Sequence, residues 1–287
     1  MLSSPPNPAD CWKLRTRTLR FGRLPLLMGI VNVTPDSFSD GGRFLDARAA
    51  VEHGLRLAEA GADLLDVGGE STRPGAEPVA AHQELARVMP VVAALGERTH
   101  VPVSVDTSKA AVARQALEAG AEVVNDITGL EGDAEMLPLV AESGCGACVM
   151  HIQGTPRTMQ QEPAYDDVVA EVLAYLRQRR DALMAAAVDP RRIALDPGIG
   201  FGKTTEHNLA LLKNAARLHE LGCPVLVGPS RKRMIGQIAG DPDADRTPGT
   251  VAVAAALMRQ DVQILRVHDV AAVRQGLLLF EAAGGLR

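Results

Sequence analysis

Eight apolar runs rich in β-branched residues end in a polar or charged side chain: Asn32, Glu70, Asp106, Asp126, His151, Asp196, Lys232 and His268. Gly, Pro, Ser or Thr follows each ending within a few residues, and a stretch with helical spacing comes next. A strand that is apolar along its length is buried on both faces, as in parallel sheets covered by helices. Eight βα units are the number that closes a barrel, so the pattern predicts an α/β chain folded as a (β/α)8 TIM barrel. Strands are predicted over 24–33, 63–69, 101–106, 121–126, 146–151, 192–196, 224–228 and 262–268. Helices are predicted over 46–60, 81–95, 109–119, 133–142, 166–187 and 270–282, with shorter ones after strands six and seven. Helix 166–187 carries apolar residues on one face at Val169, Val172, Leu173, Leu176, Leu183 and Ala187.

Several boundaries have local chemistry. Thr107 and Ser108 are expected to cap the third helix, and Thr247 the helix that has Pro248 in its first turn. The segments TPDSFSDGGRF, ESTRPGAEPV and IQGTPRTMQQEPAY exceed the usual two to six residues of a βα connection, which marks them as binding loops. Residues 1–24 do not fit a βα unit. They are expected to be an extension whose short hairpin covers the bottom of the barrel, with 25–287 as one catalytic domain.

Composition narrows the function. The chain has 287 residues, 46% hydrophobic and 23% charged, enough for a full barrel core. Thirty basic against 35 acidic residues give a net charge of −5, with no overall electrostatic footprint for nucleic acid or an anionic membrane. No run approaches a membrane span and the N-terminus lacks a signal-peptide core, so the cytoplasm is expected. Cys145 and Cys148 form a CxxC pair, but Cys148 falls inside the fifth strand, where a redox motif does not belong, so both read as small buried hydrophobes.

Barrel chemistry sits where the strands end, so the polar endings are expected to share one mouth. Ser230, Arg231, Lys232, Arg233, Arg266 and His268 lie after strands seven and eight, a common phosphate site of this architecture. Asp106, Asn125, Asp126 and Asp196 end apolar strands and are candidates for recognising ligand N–H groups or for acid–base work. Neighbours on a strand point to opposite faces, so Asn125 and Asp126 cannot both face inward. Asn32 offers a carbonyl oxygen to Mg2+, a hard ion often bound through substrate phosphates. PGIGFGKT imitates a phosphate-binding loop, but Pro197 stands where that loop needs glycine and removes an N–H, so its glycines read instead as allowing close backbone approach to a ligand, with Phe201 as a stacking face.

The segments MGIVNVTPDSFSDGG, GADLLDVGGESTRPGA, VSVDTSK, VVNDITG, MHIQGTPRTMQ, LDPGIGFGKTTEHNLALL, VLVGPSRKRMIG and ILRVHDV together resemble the dihydropteroate synthase family, from about residue 25 onward. The resemblance implies a dimeric barrel enzyme of folate synthesis, a transferase. It would join 6-hydroxymethyl-7,8-dihydropterin pyrophosphate to para-aminobenzoate, with Mg2+ as cofactor and sulfonamides competing for the aminobenzoate site. It further implies that Asp106, Asn125, Asp196 and Lys232 hold the pterin, with Ile127, Met150, Phe201 and Gly228 shaping its slot. Asn32, Arg266 and His268 would take the pyrophosphate, Asn32 through Mg2+. Thr72, Arg73, Pro74 and Ser230 would frame the aminobenzoate, and Thr34, Asp36 and Phe38 belong to a first loop that folds over the site. Asp106, Asn125, Asp196, Lys232, Arg266 and His268 form the expected catalytic set. The rivals are a pterin-binding methyltransferase, a silent pterin-binding paralogue and a nucleotide-binding loop protein.

Overall fold

The computed structural model describes residues 8–33 and 43–286. Its first element is a hairpin, β1 (Cys11–Lys13) antiparallel to β2 (Thr18–Arg20). Eight parallel strands follow: β3 (Leu26–Asn32), β4 (Leu64–Gly68), β5 (Val103–Asp106), β6 (Val123–Asp126), β7 (Gly146–Met150), β8 (Ile193–Asp196), β9 (Leu226–Val227) and β10 (Ile264–Val267). Their order is β8-β7-β6-β5-β4-β3-β10-β9, and a parallel bridge between Leu195 and Val225 joins the two ends of that order into a barrel. Leu195 N–H donates to Pro224 O at 2.8 Å across this seam.

Helices α1 (Arg43–Glu59), α2 (Ala81–Arg98), α3 (Ala110–Glu118), α4 (Met136–Ser143), α5 (Val168–Ala185), α6 (Thr205–Lys213), α7 (Arg233–Ala239), α8 (Thr247–Met258) and α9 (Val270–Ala282) accompany the strands. The larger core lies between strands and helices, where Leu65, Val67, Val91, Val92, Val105 and Val149 are fully buried.

The barrel interior sets the site. Its bottom layer is apolar, from Met28, Leu64, Val123, Cys148, Ala194, Leu226 and Ile264, and the hairpin seals it with Trp12 and Leu14. Trp12 is fully buried and its Nε1–H donates to Arg192 O at 3.0 Å. Side chains two positions apart on a strand share a face. One step up from that layer therefore stand Ile30, Asp66, Asn125, Met150, Asp196, Gly228 and Arg266, and beside them Asp106 two positions beyond the buried Ser104. The apolar floor thus changes within one pleat into a polar layer.

Some local expectations need correction. Strand seven shrinks from 224–228 to Leu226–Val227, because Pro224 and Pro229 lack the N–H that a ladder uses. The third helix is not capped by Thr107 or Ser108: Asp133 Oδ2 accepts from Ala110 N–H at 2.9 Å instead. Thr247 is the first residue of α8 and Arg246 its cap position. All four cysteines are free and buried, and burial pushes the Cys148 thiol well up, as suits a packing role.

Candidate active site

Arg266 organises the polar layer. Its Nε donates to Asp66 Oδ2 at 2.6 Å and its Nη2 to Asp106 Oδ2 at 2.6 Å, so one guanidinium from β10 holds carboxylates from β4 and β5. Asn125 Nδ2 on β6 donates to the same Asp66 oxygen at 3.0 Å. Asp66 is fully buried, and its Oδ1 has no hydrogen-bond partner among the described residues. Burial pushes Asp106 up to about 7, against the pull of Arg266 and with the charge of Asp66 adding to the rise. Two carboxylates facing one fixed cation leave acceptor capacity for a ligand rich in N–H groups.

Another part of the pocket lining carries one carboxylate and one cation, Asp196 and Lys232. Asp196 ends β8 with its Oδ1 accepting Gly198 N–H at 2.7 Å, and burial raises its pKa. Lys232 reaches in from the cap position of α7, and its Nζ lies 4.6 Å from the centre of the Phe201 ring. Burial lowers Lys232 to about 8, with Asp196 opposing the shift. At the rim, Ser230 Oγ accepts from His268 N–H at 3.1 Å and lies 2.9 Å from His268 Nδ1. Burial, then the charges of Arg266 and Arg231, lowers His268 to about 4, so it acts as a neutral hydrogen-bonding group at neutral pH.

One pocket, open to solvent, is lined by Asp106, Asn125, Ile127, Met150, Asp196, Phe201, Gly228, Ser230, Lys232, Arg266, His268 and Thr72, together with Ile30 and Ile199. The expected residues Arg73 and Pro74 are instead exposed on the second loop, away from this lining. That loop is tied down by Gly75 N–H donating to Pro156 O at 3.0 Å, which leaves only Thr72 facing in. Asn32 shares its β3 face with Ile30, one pleat above it, without belonging to the lining. Thr34, Asp36 and Phe38 lie outside the described residues.

Besides Asn32, three polar strand endings stay out of the pocket, and strand parity accounts for two of them. Asp126 follows the inward Asn125 and turns to its own loop, where Oδ1 accepts from Thr128 N–H and Oγ1, each at 2.7 Å. His151 follows the inward Met150, and its ring packs edge-on against Tyr175 with centroids 5.0 Å apart. Glu70 pairs with Lys109, which also bonds Glu84 at 2.6 Å. Arg231 is likewise occupied outside the pocket, its Nη2 2.6 Å from Asp269 Oδ1, and Arg233 is exposed. The residue that strand-end reading overlooked is Asp66. It sits two positions before the end of its strand, and counting pleats from the apolar floor finds it.

The near-miss loop is not a phosphate cradle. Lys203 is only 2% exposed and points away from solvent, its Nζ 2.9 Å from Phe201 O and from His151 Nδ1. That geometry removes the nucleotide-binding reading.

Residues 28–268 match the family described as pterin binding enzyme. Among curated relatives, the dihydropteroate synthase of Escherichia coli strain K12 is 46% identical over 258 residues, covering 90% of this chain and 91% of that one. The chain belongs to the dihydropteroate synthases. Solved synthases superpose closely: the Xanthomonas albilineans enzyme with 4-aminobenzoic acid has TM-score 0.89 and 47% identity, covering 97% of this chain and all of that one. The Yersinia pestis enzyme in complex with a sulfonamide drug has TM-score 0.88 and 43% identity, covering 96% and 99%. As a synthase of this family the chain is a transferase that condenses the pterin pyrophosphate with para-aminobenzoate in folate biosynthesis, built on a TIM barrel. Membership in the synthases also disposes of the methyltransferase alternative.

Proposed function

We propose that the pocket holds the pterin between the β5–β6–β8 carboxylate and amide groups and Lys232, with its pyrophosphate at Arg266 and His268 and, through Mg2+, Asn32. The observation that carries this reading is that Asp196 and Lys232, each favouring the other's charged form, line the same pocket beside Phe201. Asp196 offers acceptors to the 2-amino and ring N–H groups of a pterin, and Asp106 with Asn125 offers further polar contacts. Lys232 donates to its acceptor edge while Phe201, Met150 and Ile127 flank the ring. Thr72 and Ser230, both in the pocket lining, frame the aminobenzoate, with the exposed Arg73 and Pro74 following Thr72 along the same loop.

The chemistry that suits this arrangement is a dissociative substitution. The bond to pyrophosphate breaks as Arg266 and the rim donors stabilise the departing charge, and the electron-rich pterin carries the developing cation. The aromatic amine, unprotonated at neutral pH because of its low basicity, then attacks, so positioning matters more than a strong base. Among the described residues no cluster of three His, Cys, Asp or Glu side chains fits a metal cage. A single amide oxygen at Asn32 fits Mg2+ only as an ion carried largely by substrate phosphates, which is that ion's usual habit. Bound there, Mg2+ would supply charge neutralisation of the pyrophosphate, with Asn32 as its protein ligand.

The same reading takes the protein as a homodimer, with the small apolar face of α8 at Ala252 and Ala256 exposed for a second copy. It takes the cytoplasm as its compartment, in keeping with four unpaired thiols and with the absence of any membrane-spanning helix among the described residues. The test is Asp196→Asn alongside Lys232→Ala. Each should lower kcat/KM for the pterin substrate by about 100-fold or more with little change in thermal unfolding. Values within twofold of the unaltered chain would remove the pterin from this slot.

A further inference from the structure

Lys203 is a buried cation that the reaction as described does not use. Its Nζ has three acceptors for three N–H groups: His151 Nδ1 at 2.9 Å, Phe201 O at 2.9 Å and His151 O at 3.4 Å. None of the three carries charge. An ammonium has no lone pair, so His151 Nδ1 must accept, which fixes the imidazole proton on Nε2. Burial, followed by the charge of Lys203, lowers His151 to about 3 and keeps it an acceptor.

The two segments joined by this ammonium are in backbone contact. Gly198 has φ +68°, and a Cβ there would lie 1.9 Å from His151 O. Gly202 has φ +63°, and a Cβ there would lie 2.4 Å from Gln153 O. Only glycine allows this approach. Met150 ends the first segment's strand and Phe201 stands in the second, so both walls of the slot depend on how the segments meet.

We propose that Lys203 is a positioning residue whose ammonium stitches the segment after β7 to the segment after β8 and so sets the spacing of Met150 and Phe201 around the pterin. This rests on the pterin slot argued above. The groups facing Lys203 from each packed element are His151 beyond β7, Asp196 on β8 and Lys232 at the cap of α7. From the segment before α5 comes Tyr165, whose hydroxyl donates to Gly202 O at 2.7 Å, and from α6 comes His207, stacked edge-on against Tyr165. Asp196 favours the ammonium and Lys232 opposes it, while burial dominates and lowers Lys203 to about 7. The stitch is therefore strongest below neutrality and weakens as pH rises.

The test is fluorescence titration of the full chain and of Lys203→Met with 6-hydroxymethylpterin from pH 6 to pH 9, with Asp196→Asn in parallel. Lys203→Met should bind about tenfold more weakly at pH 6, the scale of a lost charge-assisted hydrogen bond. That ratio should shrink at least roughly threefold by pH 9 as the ammonium is lost. The pterin's own titration is common to both proteins and cancels in the ratio. Lost packing alone would give a pH-independent ratio, and either that result or equal affinity at pH 6 overturns the proposal. Should Asp196→Asn bind as well as the unaltered chain, the slot itself fails and the proposal with it. Should Asp196→Asn lose binding while Lys203→Met keeps it, only the stitch fails. If Lys203→Met does not fold, His151→Asn and His151→Leu replace it. Asn restores an acceptor near Nδ1 and should stay within about threefold of the unaltered affinity, whereas Leu should lose about tenfold. Equal losses in the two would overturn the proposal.

Discussion

Arg266 and Asp66 are 200 residues apart in sequence and 2.6 Å apart across the barrel, Nε to Oδ2. Their contact makes the polar layer a single charged unit, because the same guanidinium also holds Asp106 and the same carboxylate oxygen also accepts from Asn125. Asp66 therefore orients two groups that line the substrate pocket, Arg266 and Asn125, without lining it itself.

Replacing Asp66 by Ala should destabilise the fold by about 2–3 kcal/mol, less than the roughly 3–5 of a fully buried broken pair, since Arg266 keeps Asp106. Turnover should fall as well, because Arg266 and Asn125 lose a shared anchor. Urea unfolding and steady-state kinetics on the same variant check both effects. A loss below about 0.5 kcal/mol would mean that the pair is energetically idle.

Lys232 gives the reaction an alkaline limit. Its pKa is lowered to about 8 by burial, so the positive charge proposed to meet the pterin's acceptor edge is lost as pH rises through about 8. The kcat/KM for the pterin substrate should fall through that range in the unaltered chain. Lys232→Ala should show a low profile that lacks the step near 8 and keeps only the shallower fall near 7 that Lys203 contributes. An undiminished step near 8 in the variant would assign the limb to another group.

His151 gives stability an acid limit. The unfolded imidazole binds its proton near its ordinary value of about 6.5, whereas the folded one is held neutral down to about 3. Stability present above the unfolded value is therefore lost as pH falls from about 6.5 towards 3, amounting to about 2 kcal/mol at pH 5 for this group alone. The difference between unaltered and His151→Asn unfolding free energies, followed from pH 7 to pH 5, should change by that order. A constant difference would show that His151 is not held neutral.

Trp12 is the chain's single tryptophan and fills the barrel floor opposite the pocket. Trp12→Ala should cost about 3–5 kcal/mol, the usual range for a large buried aromatic. Its fluorescence should report global unfolding and stay unchanged on pterin binding at the other end. A large response to the pterin with no change in fold would contradict the separation of floor and mouth.

The eight strands, most helices and the location of the mouth were legible because a parallel barrel leaves a repeated signal, an apolar run ending in a polar residue. The site was legible less evenly. Asp106, Asp196 and Lys232 stand at or beyond strand ends and face inward, so the end-of-strand rule finds them. It also selects Asp126 and His151, which lie one residue past the inward positions of their strands and face away. It misses Asp66, which lies one pleat deeper. Face parity, counted upward from Met28, Leu64, Val123 and Ala194, resolves those three. The ion pair of Arg231 with Asp269 and the burial of Lys203 depend on contacts between distant segments, and no local pattern announces them.

Coupling of pyrophosphate release to carbon–nitrogen bond formation is read most directly from the stoichiometry of the two products. The full chain should be incubated with Mg2+ and the pterin pyrophosphate, with and without para-aminobenzoate, while dihydropteroate and pyrophosphate are quantified together. Equal amounts of both, formed only when the amine is present, are predicted. Tight pterin binding with neither product would contradict the account.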